Sequence, residues 1–193
     1  MNGTFDRFTE RARGFIQSAQ YSASNSNHQQ LTPEHLLQIL LEDREGLATR
    51  LLEACNGKTK EIHQRVKAEL KRLPSVEGSG AGQVYLSSDF SKILSQAEKL
   101  ADKAGDSYVT VEYLLLSLSI VPDTASFKIL SSSGVDSINL NKSIEELRKG
   151  RNAHSPNSED GYGALMKFCR DITGEAKEGR LDPVIGRDDE IRR

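Results

Sequence analysis

The sequence predicts an all-α fold, built as two tandem pseudo-repeats of about four helices each, and three observations predict it. Apolar residues recur at three- and four-residue steps along most of the chain, with no stretch of strand-like alternation. Two helix starts of one kind, Thr32-Pro33-Glu34-His35-Leu36-Leu37 and Thr110-Val111-Glu112-Tyr113-Leu114-Leu115, stand 78 residues apart. Each places Thr at the N-cap and Glu in the first turn, where the carboxylate complements the helix dipole. Between the halves, Pro74 ends a helix and the glycines of Gly78-Ser79-Gly80-Ala81-Gly82 disfavour another.

The first repeat is predicted over residues 5–73, with helices at about 5–24, 33–42, 46–54 and 60–73. At the 78-residue offset Phe15-Ile16 falls on Ile93-Leu94, Ala19 on Ala97, Ala23 on Ala101 and Leu51-Leu52 on Ile129-Leu130. The second repeat is therefore predicted over 88–149, with helices at about 88–104, 111–120, 124–132 and 139–149. Near the end the best match shifts to an offset of 77, where Glu69-Leu70-Lys71-Arg72 meets Glu146-Leu147-Arg148-Lys149, as if one turn residue had been gained or lost. Together the repeats make one domain over 1–150. Residues 151–161, rich in Asn, Ser and charge, read as a flexible tether, since little apolar surface is available to offset ordering entropy. Residues 162–179 read as a further helix, with Leu165, Met166, Cys169 and Ile172 on one face.

Composition narrows the function classes. Net charge is −2 from 26 basic and 28 acidic residues, well mixed, which argues against nucleic acid as a partner. Cys55 and Cys169 are isolated, so neither a disulfide framework nor a zinc site is expected. The first residues carry no apolar leader and no run approaches the roughly 18 apolar residues of a membrane span. A cytoplasmic protein that does not enter a membrane is the expectation. His28, His35, His63 and His154 are scattered without the His-Glu-x-x-His spacing of a zinc hydrolase helix, and His35 is expected as a partly exposed residue of a capping turn. No Gly-x-Ser-x-Gly elbow is present. Neither a catalytic residue nor a metal ligand is assigned.

Gly57-Lys58-Thr59 ends like a phosphate-binding loop, in which glycine N–H groups cradle phosphates and Lys adds charge. Leu52 stands where the loop needs its first glycine, and a helical stretch precedes it instead of a strand. Gly57 is expected as the C-cap of the third helix.

Two segments carry a family resemblance. Leu181-Asp182-Pro183-Val184-Ile185-Gly186-Arg187-Asp188-Asp189-Glu190-Ile191-Arg192-Arg193 resembles the entry to the first ATPase module of Hsp100/Clp unfoldases. Residues 5–150 resemble the Clp N-terminal repeat domain, and Arg72-Leu73-Pro74-Ser75-Val76-Glu77-Gly78-Ser79-Gly80 is similar to the connector of the ClpB/Hsp104 disaggregase branch rather than that of ClpA or ClpC. The resemblance implies that residues 162–193 lead into a truncated AAA+ module. There Val184 and Ile185 would line the adenine pocket of the full-length protein, which binds ATP and magnesium. This stretch would hold no cofactor itself. The implied partners are unfolded or aggregated polypeptides, a hexameric ring of the full-length chain and the DnaK chaperone system. The alternative is an adaptor-docking domain of a protease-coupled Clp unfoldase.

The resemblance also implies substrate-binding positions: an apolar groove at Ile93, Leu100 and Tyr113, and a polar set at Thr9, Asp106 and Glu112. Each has a structural alternative. Ile93 and Leu100, seven apart, share the helical face that usually forms core. Glu112 is a first-turn acid, and Asp106 after Gly105 is a turn residue. Tyr113 stands where relatives carry an aliphatic residue, and a ring can sit half-exposed and stack on an incoming side chain.

Overall fold

A computed structural model describes residues 5–43, 46–76 and 83–161. Its helices are α1 (Glu10–Asn25), α2 (Pro33–Leu41), α3 (Leu47–Ala54) and α4 (Thr59–Leu70) in the first repeat, then α5 (Ser88–Ala104), α6 (Val111–Ile120), α7 (Ala125–Ser132) and α8 (Ser137–Arg148) in the second. Two-residue strands β1 (Gln30–Leu31) and β2 (Tyr85–Leu86) interrupt the all-helical expectation, and a 3-10 turn covers Ser158–Gly161. Residues 162–193, with Val184 and Ile185, lie outside the described residues, as do residues 77–80 of the connector.

Local chemistry sets the helix ends. α1 starts five residues later than expected because the Thr9 side chain accepts the Ala12 N–H at 3.1 Å as N-cap. Phe8, just before it, is drawn into a parallel bridge with Val109. The two repeats close their helices alike. Asn27 and Gly105, equivalent positions, both take positive φ, and the next N–H bonds five residues back, His28 to Ala23 and Asp106 to Ala101, each at 2.9 Å. The third helices repeat the device with Asn56 and Gly134. Gly57 is thus not the cap: Asn56 takes the left-handed residue, and Gly57 donates to Leu52 O at 2.8 Å. Glycine is required at 57 for space, since a Cβ there would come within 2.8 Å of both Leu52 O and Val135 Cγ2.

Val135 is the position equivalent to Gly57, so these two meet on a pseudo-twofold axis. The rest of the packing obeys the same axis. β1 pairs with β2 in parallel, Leu31 opposite Leu86, while Phe8 bridges Val109, and each pair maps onto the other by the 78-residue offset. α3 packs on α8 and α4 on α7, so the repeats interleave around one shared core instead of forming two bundles. Burial keeps the 78-residue register to the end. Ile62, Val66 and Leu70 of α4 are equivalent to Leu140, Ile144 and Arg148 of α8, and all six are buried. The expected shift to 77 is therefore overturned: it matched exposed charged residues, whereas the buried stripe decides how a helix sits.

The expectation of a flexible tether is corrected as well. Residues 150–159 lie as a strap along the second repeat. Ser107 and Tyr108 donate their N–H groups to Ala153 O (3.0 and 3.1 Å), Ala153 N–H donates to Asp106 Oδ1 (2.9 Å), and Glu10 N–H donates to Pro156 O (2.9 Å). Glu159 anchors the far end at 1% exposure. Composition misled here because backbone hydrogen bonds and one buried carboxylate, not apolar area, hold the strap.

Candidate functional site

A cavity of about 700 Å³ opens between α5, α6 and α8, closed at one end by Gly150, Arg151 and Asn152 of the strap. Its apolar wall is Leu100, Tyr113, Leu116, Ile120, Ile138 and Ile144. Ile138 is 65% exposed and extends this wall to the surface. This character belongs to the second repeat alone. The first repeat has Ser22, Gln38, Glu42 and Lys60 where the second has Leu100, Leu116, Ile120 and Ile138.

Of the six expected substrate positions, Leu100 and Tyr113 line the cavity, but the expected half-exposed ring is not found: Tyr113 is 5% exposed, because Arg148 holds its hydroxyl against the wall. Ile93 does not. It is 0% exposed in the core: it shares one stripe of α5 with Leu100, two turns away, and that stripe reaches the cavity only at Leu100. Thr9, Asp106 and Glu112 are buried too and form a polar layer behind the apolar wall. Thr9 donates its hydroxyl to Glu159, whose other carboxylate oxygen accepts the Val111 N–H at 2.7 Å. Asp106 accepts from Ala153 of the strap and from the Arg148 guanidinium.

Arg148 is the residue the sequence reading missed. It donates to Asp106 and to the Tyr113 hydroxyl, lies 5.0 Å from the Tyr113 ring centre, and donates Nε–H to Arg151 O at 3.1 Å. Its Nε is also 3.8 Å from Glu112 Oε1. The available signal was that an arginine continues the buried i, i+4 stripe of Leu140 and Ile144. Ile138 had no comparable signal, since nothing local marks an exposed apolar residue as part of a cavity.

Electrostatics follow from burial. Desolvation, reinforced by the neighbouring Glu159, pushes the Glu112 carboxyl up to about 8, so it is protonated at neutral pH. Neither of its oxygens has a hydrogen-bond partner among the described residues. Glu159 is raised by the same burial, with the Thr9 hydroxyl and Val111 N–H drawing it back. Burial raises the Tyr113 hydroxyl as well, against the pull of Arg148, so Tyr113 stays a neutral ring with its oxygen accepting. Asp106 and Arg148 are the charged pair at the heart of this layer.

Other readings from the sequence find their places. His35 is buried, not partly exposed: its Nδ1 accepts the Thr32 N–H at 3.2 Å, which leaves Nε2–H to donate to His28 Nδ1 at 2.9 Å. Gly57-Lys58-Thr59 turns from α3 into α4 with Gly57 pressed against Val135, and offers no open cradle for phosphate. Among the described residues no three His, Cys, Asp or Glu side chains converge as a metal site, and no single helix is long and apolar enough to cross a membrane.

The architecture is an interleaved double repeat of helices with an apolar cavity on one side. Residues 7–133 match the family of the Clp repeat (R) N-terminal domain. The chain is 52% identical over 188 residues to the chaperone protein ClpB of Rhizobium meliloti, and 40% identical over 188 residues to that of Rickettsia bellii. Each alignment covers 97% of this chain and 22% of the relative, so the chain spans about a fifth of the curated relatives it matches. Among solved structures, the Hsp104 N-terminal domain from Candida albicans superposes with a TM-score of 0.68 at 22% identity, covering 79% of this chain and 99% of that one. The N-terminal domain of the ClpV1 ATPase from E. coli gives 0.61 at 22% identity, covering 76% and 88%. The chain thus belongs to the Clp repeat N-terminal domain family.

Proposed function

We propose that the cavity between α5, α6 and α8 captures apolar segments of unfolded or aggregated polypeptides and delivers them to an ATP-driven ring formed by the rest of the protein. The observation that carries this reading is an apolar cavity wall of which Leu100, Ile120 and Ile138 reach solvent, Ile138 at 65% exposure, with Tyr113 buried behind them. Leu100 and Tyr113 would touch substrate. Thr9, Asp106 and Glu112 would act from behind the wall by holding Arg148 and the strap, and Ile93 would serve as packing. In the full-length protein Val184 and Ile185 would face the adenine of ATP, with magnesium on its phosphates, and a hexamer would work with the DnaK system in the cytoplasm. The ClpB relatives favour this over docking of a folded adaptor.

Titration with one protein in its unfolded and its folded form tests the choice. Preference for the unfolded form supports capture, and preference for a folded partner supports adaptor docking. Ile138→Ser should weaken binding of unfolded protein about tenfold, the effect of 1.4 kcal/mol. Because the residue is exposed, stability should change by no more than about 0.5 kcal/mol. Unaltered binding by that variant would remove the cavity from the reading.

A further inference from the structure

The cavity is apolar in its wall and basic at its rim. Lys103, Lys142, Arg148 and Arg151 all line it, against Glu145 as the one carboxylate. The charge of Arg148 is matched by Asp106, and Arg151 is engaged with the Arg148 carbonyl. Lys103 and Lys142 remain. Both are exposed, and neither has an ion pair or side-chain hydrogen bond among the described residues. Glu145 accepts from Asn141 at 2.7 Å. A cation in the last turn of α5 also complements the helix dipole, which accounts for Lys103 in part; Lys142, in the middle of α8, has no such role.

The first repeat supplies the comparison. Where the second has Lys103 and Lys142, it has the neutral amides Asn25 and Gln64, and it also lacks the apolar wall. Apolar wall and basic rim therefore occur together, in one repeat, on a chain whose net charge is −2. An unmatched pair of ammonium groups beside an apolar surface is complementary to a segment that presents apolar side chains and carboxylates side by side.

We infer that the cavity selects apolar polypeptide segments that carry Asp or Glu side chains next to their apolar residues, with Lys103 and Lys142 as the specificity-determining groups. This deepens, and rests on, the capture of unfolded chains proposed above. The contacts are at an exposed rim, so the preference should be modest and salt-sensitive.

The test uses the 193-residue chain and fluorescent peptides that share one apolar core and an amidated C-terminus, flanked by Asp, by Asn or by Lys. Fluorescence anisotropy should rank them Asp, Asn, Lys, with about a tenfold span between the ends. In the Lys103→Gln/Lys142→Gln variant, and for the native chain in roughly 1 M salt, the span should shrink to less than about twofold. Equal affinities, a preference for Lys, or a span that survives the double substitution would overturn the inference while leaving capture standing. An Asn-flanked peptide with a free C-terminus that binds as tightly as the Asp-flanked one would transfer the selectivity to chain ends, and also overturn it. If no peptide binds, capture itself fails and the inference with it.

Discussion

The two repeats share a backbone plan but not a chemistry. Behind α2 the first repeat places His28, His35 and Leu70; at the same positions behind α6 the second places Asp106, Tyr113 and Arg148. The first set is neutral: an imidazole pair closed by one hydrogen bond, with His35 held down to about 4 by burial. The second is an ion pair with a phenol, and it reaches outward to the strap through Asp106 and Arg148. A pseudo-twofold fold constrains positions, not residue types, so one copy can remain structural while the other acquires polar anchors and an open apolar wall.

The largest expected effect comes from making the second repeat resemble the first. Arg148→Leu alone leaves Asp106 buried without its partner and should cost about 3–5 kcal/mol by denaturant titration. The triple change Asp106→His, Tyr113→His, Arg148→Leu installs the neutral set and should recover most of that loss, as replacement of whole buried ionic groups often does. If the triple variant were no more stable than the single one, the equivalence of Leu70 and Arg148 would be wrong.

The repeats should also differ in sign with pH. His35 titrates at about 4 when folded and near 6.5 when unfolded, so the unfolded chain takes up the proton first. Stability is lost as pH falls from about 6.5 to 4, by roughly 3 kcal/mol in all, and His35→Gln should remove that slope. Glu112 behaves oppositely. Its folded carboxyl holds its proton up to about 8 against 4.5 unfolded, so its contribution is present below about 4.5 and is lost as pH rises through 8. Glu112→Gln mimics the protonated form and should flatten the neutral-to-alkaline part of the curve.

Smaller effects test the strap and the axis. Glu159→Ala strands the Val111 N–H and the Thr9 hydroxyl, at about 1–3 kcal/mol, and should speed exchange of the Ser107 and Tyr108 amides that donate to Ala153. Unchanged exchange there would mean that the strap is held without its anchor. Gly57→Ala should cost about 1–3 kcal/mol from crowding on the axis. Val135→Ala should rescue only part of it, because the Leu52 carbonyl remains in the way. Asn56→Gly, at a position where the second repeat already has Gly134, should change stability by no more than about 0.5 kcal/mol.

Much of this was legible in the residues. Thr32 and Thr110 marked both second helices, and Leu51-Leu52 against Ile129-Leu130 fixed the period of the repeat, because caps and i, i+4 apolar pairs are written within a few neighbouring residues. Leu100 and Tyr113 were found only through family resemblance, and Ile93 shows the limit of that route: periodicity identifies a helical face but not which edge of it stays open. Glu159 was invisible, a single carboxylate in a polar stretch whose partners, Thr9 and Val111, are 150 and 48 residues away.

The sequence by itself determined the helices, their order, the duplication and the family. Tertiary structure decided that the repeats interleave, that Arg148 falls on the Leu70 position, that residues 150–159 are bound down, and that the second repeat keeps an open apolar wall. The division has one physical cause. Helix formation and capping are settled by contacts a turn apart, whereas register, burial and cavities depend on which distant surfaces exclude water together, and that is fixed only when the whole core closes.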